Sequence, residues 1–139
     1  MPLTQIILFG LDLGIFTLIW LVQFIIYPSF LRIDKDIFIY WHHSYTYRIS
    51  YFVIPLMFSQ IGLSFYHYIY EQSRLFLWHL IFIVLSWIST FTLSVPCHNR
   101  LALNGYKREE IIYLINTNYP RALTWSFSLI ISTMKLINL

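Results

Sequence analysis

Between its charges the chain carries four apolar runs, each about as long as a helix needs to cross a bilayer. A helix spanning the roughly 30 Å hydrocarbon core needs about 20 such residues. The runs fall at about 4–30, 49–70, 75–95 and 122–139. Asp12 is the one charge inside the first, and Glu71 and Arg74 mark a tight turn between the second and third. With 58% hydrophobic residues, 11% charged residues and a mean hydropathy of +0.65, the 139-residue chain is more apolar than a soluble domain of its length can hide. The expected fold is therefore all-α: a polytopic membrane protein built as a four-transmembrane-helix bundle. Residues 1–139 form a single membrane domain, because a small bundle leaves no chain for a soluble module.

The first and third links are longer than a turn requires. Interfacial segments are expected at about 34–48 and 106–119. In the first, Asp34 and Asp36 suit a helix start, and the second helix begins before it enters the membrane. In the second, Asn104 and Gly105 turn the chain. Glu109 and Glu110 then open a short interfacial helix with an apolar stripe of Ile111, Ile112, Leu114 and Ile115, lying between the third and fourth spans. Pro96 is expected to end the third span, and Pro120 to stop the surface helix and open the fourth. The N-terminal run lacks the basic flank and small-residue cleavage site of a signal peptide and reads as a retained helix.

Arg32, Lys35, Arg48, Arg100, Lys107, Arg108 and Arg121 fall in or beside these two links, against Arg74 and Lys135 at the other face. The positive-inside rule then places both links in the cytoplasm, and a bacterial inner membrane is the expected location. Tyrosines and tryptophans crowd the span ends, as an aromatic belt does. The single cysteine, Cys97, excludes an internal disulfide and offers a thiol for testing orientation.

Polar residues inside the spans form a first group. Asp12 costs about 2.5–3.5 kcal/mol at the centre of a span, so it must face the bundle interior or a wet cavity. Helical spacing puts Gln5, Asp12 and Gln23 on one face of the first helix and Met57, Gln60, Ser64 and His67 on one face of the second. An Asp12 to His67 contact, with Gln60 nearer the middle, is expected. Such a seam holds helices together as readily as it conducts protons. No Ser, His, Asp arrangement reads as a triad.

The second group gathers at the basic face. Tyr27 and Pro28 close the first helix, His42, His43, Tyr47 and Arg48 open the second, His98, Asn99 and Arg100 follow the third, and Asn118, Arg121 and Trp125 open the fourth. His43 and His98 have the chemistry of a general acid and base, or of metal ligands. Arg121 joins them as a catalytic candidate, since guanidinium stabilises a phosphate, carboxylate or developing oxyanion. Tyr47, Arg48, Asn99, Asn118 and Trp125 are the expected substrate-binding residues. The spacings HxxxH and HxxE are absent, so a metal is left unassigned, and the cofactor is left open. The same basic and aromatic residues would also serve as plain interfacial anchors for lipid head groups.

The pieces "YPSF" after the first helix, "VPCHNRL" after the third and "NYPRALTW" entering the fourth resemble small four-helix bacterial membrane proteins. These are distantly similar to the anthrone oxygenase-like family. The resemblance implies oxidation of a hydrophobic ring-containing substrate with dioxygen, with roles for Asn99, Arg121 and Trp125. His98 and the pair His42 and His43 depart from that pattern. Three readings remain open: a membrane-embedded oxidoreductase acting on a lipid-soluble, quinone-like substrate; an accessory subunit packed on membrane-protein partners; and a haem- or metal-binding protein. The lipid bilayer is the expected surrounding in each, and nucleic acid is not an expected partner.

Overall fold

The computed structural model describes residues 3–137, and it is helical with no strand among the described residues. We number four continuous helices α1 (Leu3–Arg32), α2 (Phe38–Glu71), α3 (Arg74–Asn104) and α4 (Arg108–Leu136). The first three are long and apolar enough to cross a membrane. At 1.5 Å per residue their 30, 34 and 31 residues are each longer than the roughly 30 Å hydrocarbon core requires. α4 packs against both α1 and α3, and α2 packs on the same two helices from another side. Residues 138–139, the end of the expected fourth run, lie outside the described residues.

Short links join the helices. Gln72, in the left-handed conformation at φ 46°, closes α2 by donating its N–H to the Tyr68 carbonyl. Ser73 then caps α3 by accepting from the Leu75 N–H at 3.3 Å. Gly105 ends α3 at φ 76°, and a Cβ there would press on the Ile39 side chain at 3.4 Å. Glycine is needed at that corner for its conformation as well as for its size.

Two expected helix ends do not occur. Pro96 lies within α3, and Pro120 within α4, which runs unbroken for 29 residues. The expected interfacial helix at 106–119 and the expected fourth run are thus one helix from Arg108 onward. For Pro96 the reason is local. Thr90–Ser94 forms a π-helical turn closed by the Val95 N–H to the Thr90 carbonyl, and Pro96 follows two residues later. α1 repeats the device: Val22–Ile26 is π-helical, Tyr27 donates its N–H to the Val22 carbonyl, and Pro28 follows two residues later. A proline has no N–H to give and crowds the carbonyl four residues back, and a wider turn relieves both demands without ending the helix. The insertions also set which side chains face inward within and just beyond them, including Gln23 and Tyr27 on α1 and Thr90 and Ser94 on α3, all buried.

Candidate functional site: a polar-ended cavity between the helices

Phe30, fully buried, sits at the centre of the linked helix ends. Its ring meets Tyr27, Phe38, Trp41, His42, Tyr45 and His98 at centroid distances of 5.1–6.3 Å, each at a steep interplanar angle. Edge-to-face packing of this kind fixes ring orientation as well as burying area. It therefore holds two histidines from different helices in register: His42 Nε2 on α2 lies 2.9 Å from His98 Nδ1 on α3. On its far side His98 Nε2 lies 3.1 Å from the Tyr27 hydroxyl of α1.

Tyr27 passes the contact to α4, because its hydroxyl accepts from Arg121 Nη2 at 3.1 Å. Arg121 donates Nε–H and a second Nη2–H to the one oxygen Asn118 Oδ1, and its Nη1 makes a long contact of 3.4 Å to Thr90 Oγ1. Arginine only donates, so the direction of the rest follows. Asn118 gives its N–H to Gln23 Oε1 at 2.8 Å, and Gln23 gives its own to the Ile115 carbonyl at 3.2 Å. Arg121 is only 7% exposed, and no carboxylate pairs with it among the described residues. Its other near neighbour is the Trp125 ring, 5.7 Å from the guanidinium carbon.

Beside this row lies a cavity of about 310 Å³. Aliphatic side chains such as Ile15, Ile19, Val53 and Met57 form its walls, and Tyr27, Thr90, His98 and Arg121 form its polar end. The volume suits a small ligand, and apolar walls with few convergent polar groups are the usual make-up of a binding pocket. Tyr45, Asn99 and Trp125 also line it.

His98, Arg121, Asn118 and Trp125 therefore come together as expected, with Asn99 at the exposed rim. His43, Tyr47 and Arg48 do not join them: all three are exposed on the outer side of α2. The inward positions are His42, Tyr45, Thr46, Ile49 and Val53, at the 3, 4 and 7 residue spacings of one helix face. That periodicity separates His42 from His43, and it was available in the sequence. Tyr27 belongs to the expected basic-face group, whereas Gln23, expected on the face of Asp12, and Thr90 join it through π turns that carry no such periodic signal. Cys97 is fully buried and directs its thiol at the Glu110 carbonyl, 3.3 Å away, so it is not a surface probe.

The intramembrane polar residues assemble differently from expectation. Asp12 meets His79, not His67: Oδ2 is 2.8 Å from His79 Nε2, and Oδ1 accepts from Gln60 Nε2 at 2.6 Å. His67 pairs instead with Glu71, one turn along α2, at 2.6 Å. Gln5 and Lys135 meet the same Glu71 carboxylate at 3.0 and 3.3 Å. His67 stacks on Phe76 at 4.7 Å, which turns it toward the helix end and away from Asp12.

His79 Nδ1 lies 2.8 Å from Ser64 Oγ, so a Ser, His, Asp row does exist, contrary to expectation. All three are at most 1% exposed, and none lines the cavity, so no substrate reaches the serine. The row is a helix fastener in its geometry. Trp125 joins it to the cavity by donating its indole N–H to Gln60 Oε1 at 3.2 Å. An indole only donates, so Trp125 interrupts proton transfer between the two polar rows.

No protein-family model, no curated protein and no solved structure matches this chain.

Proposed function

We propose that the protein is a multi-pass inner-membrane protein, a bundle of four membrane helices with α4 as the fourth span and its linked, basic ends in the cytoplasm. In this reading it is a membrane-embedded oxidoreductase acting on a lipid-soluble ring compound of the phenol or quinone class, bound in the cavity. One observation carries it: an apolar cavity ends at a buried guanidinium that has no carboxylate partner among the described residues, joined through the Tyr27 hydroxyl to the His98 imidazole.

The chemistry follows from those groups. A hydroquinone or phenol enters with its ring against the aliphatic walls and its hydroxyl toward His98 and Arg121. The hydroxyl proton passes to the Tyr27 oxygen as Tyr27 hands its own proton to His98 Nε2, and Arg121 stabilises the oxygen anion left behind. The anion is far more easily oxidised than the neutral phenol. With dioxygen as oxidant, a hydroquinone gives up two electrons and two protons and leaves as the quinone, while dioxygen becomes hydrogen peroxide. The resemblance to anthrone oxygenase-like proteins supports the same class of reaction. The direct hydrogen bond between His42 and His98 favours acid and base roles for these rings, with His98, not His43, beside the substrate.

The test is dioxygen uptake by proteoliposomes supplied with a lipid-soluble hydroquinone or with anthrone. Uptake above that of empty liposomes, lost in Arg121→Gln and His98→Gln, is expected. Uptake equal to empty liposomes for both substrates overturns the oxidoreductase reading.

A further inference from the structure

The donors of Arg121 are unevenly occupied, and that unevenness bears on what the cavity takes. The side-on edge of the guanidinium, Nε–H with one Nη2–H, is the edge that grips a carboxylate or phosphate with two parallel hydrogen bonds. Here Asn118 Oδ1 holds both of those donors. The other Nη2–H goes to Tyr27. What remains is Nη1, whose contact to Thr90 at 3.4 Å is long for a hydrogen bond, at the cavity end. The charge is whole, but the geometry left for a ligand is one oxygen.

The way in is also legible. Along the seam between α2 and α3, the His42 to His98 hydrogen bond closes one end, and the edge-to-face pair Phe58 and Trp87, at 5.2 Å, closes the other. On α2 these two closures are 16 residues apart, about 24 Å of helix. Between them the cavity is lined by Ser50 and Ile54 from α2 and by Val95 from α3, with Asn99 lining it just past His98. Ile54 is 53% and Val95 37% exposed, and Asn99 is exposed. Side chains that line a cavity and are also exposed mark its mouth. This mouth lies partway along two membrane-length helices, so it faces the lipid.

We infer that the cavity binds its ligands as single-oxygen anions, phenolates on an apolar body, in preference to carboxylates and to ring ligands that cannot ionise, and admits the parent phenols sideways from the bilayer between α2 and α3. The inference rests on the proposed binding of a ring compound in this cavity, and it names the ionisation state, the head-group geometry and the route. A phenol on an apolar body can leave the lipid without crossing the aqueous face, and it gives up its proton only where Arg121 is within reach.

An alkylated 4-nitrophenol tests this without turnover, because its phenolate absorbs at longer wavelength than the phenol. The purified protein in lipid nanodiscs is titrated with pH in the presence of the probe, against nanodiscs alone. The 4-nitroanisole of the same tail, which cannot ionise, and a fatty acid of matched length are used as competitors. The probe bound to protein is expected to ionise about one pH unit or more below the probe in nanodiscs, as a cation within reach of an acid brings about. Arg121→Lys is expected to keep that shift, and Arg121→Gln to lose it. Val95→Trp, which fills the mouth without touching the polar end, is expected to exclude the probe from a protein that folds as wild type. The anisole and the fatty acid are expected to compete at least tenfold more weakly than the phenol.

An unshifted bound probe, a shift that survives Arg121→Gln, or competition by the anisole or fatty acid equal to the phenol overturns the anion inference and leaves a ring-binding cavity standing. Undiminished binding in Val95→Trp overturns the lateral route. Failure of both phenol and anisole to bind overturns the inference together with the cavity reading beneath it.

Discussion

His79 joins three helices through one imidazole: its Nε2 lies 2.8 Å from Asp12 Oδ2 of α1, and its Nδ1 lies 2.8 Å from Ser64 Oγ of α2. Gln60 and Trp125 extend the row to α4. In lipid the helices gain nothing from hiding apolar side chains from one another, so hydrogen bonds and packing must define their register. Asp12 is the hub because each of its oxygens meets a different helix.

The row makes two replacements of Asp12 differ. An asparagine keeps the oxygen for Gln60, and its amide is met by the opposite tautomer of His79, with Ser64 reorienting toward a backbone carbonyl. Asp12→Asn is expected to cost about 1 kcal/mol. Asp12→Leu takes the acceptor from Gln60 Nε2 and from His79 Nε2, at about 1–3 kcal/mol for each orphaned N–H. Thermal unfolding followed by circular dichroism in mild detergent separates the two. A leucine variant that melts with the wild type would show that the row does not hold the helices.

The aromatic packing around Phe30 gives a second expectation. Removing a fully buried phenyl ring costs about 3–5 kcal/mol, whereas leucine in the same space costs about 1.5 kcal/mol or less. Phe30→Ala is expected to lower the unfolding temperature sharply, with Phe30→Leu between it and the wild type. Because Phe30 touches both histidines, the alanine variant should also loosen ligand binding at the cavity. Equal melting of the three proteins would mean that the ring cluster is not structural.

What the sequence revealed of this fold and site follows from how far each signal reaches along the chain. Apolar run length reported the first three helices, because it is an average over about 20 residues, whereas the expected surface helix and fourth run are one helix through Pro120. The continuity through Pro96 was not legible, since a π turn is set by hydrogen bonds that no composition encodes. The helix face that separates His42 from His43 was legible through Tyr45, Thr46, Ile49 and Val53. The exchange of His67 for His79 as the partner of Asp12 was not. It depends on how deep α3 sits against α1, and on Glu71 meeting His67 one turn away. Arg121, Asn118, Trp125 and His98 were recoverable because polar residues at helix ends in an apolar chain stand out individually.

Labelling with a membrane-impermeant maleimide gives a third expectation, which concerns orientation. Cys97 is fully buried, so the wild-type protein should stay unlabelled in intact cells and in inverted membranes alike. Leu103 is 82% exposed at the linked, basic end of α3, so Leu103→Cys supplies a reachable thiol beside the same loop. Its labelling is expected in inverted inner-membrane vesicles and not in intact cells. Labelling from outside the cell would reverse the proposed orientation, and labelling of the wild type would contradict the burial of Cys97.

The neighbouring histidines of α2 offer the last and most local check. His43 is exposed, and replacing it with alanine is expected to change stability by no more than about 0.5 kcal/mol and to leave cavity binding alone. His42 is 1% exposed, lies flat on Phe38 with centroids 5.7 Å apart, and supplies the hydrogen-bond partner of His98 Nδ1. His42→Ala removes that partner and opens a void beside Phe30, and about 2–4 kcal/mol is expected for the orphaned buried group and the lost packing together. His42→Gln, which can still reach His98, should recover part of it. The comparison is made by thermal unfolding and by binding of the nitrophenol probe. Equal effects at 42 and 43 would remove the imidazole pair from the site, and a larger effect at 43 would return the acid and base role to the outer face of α2.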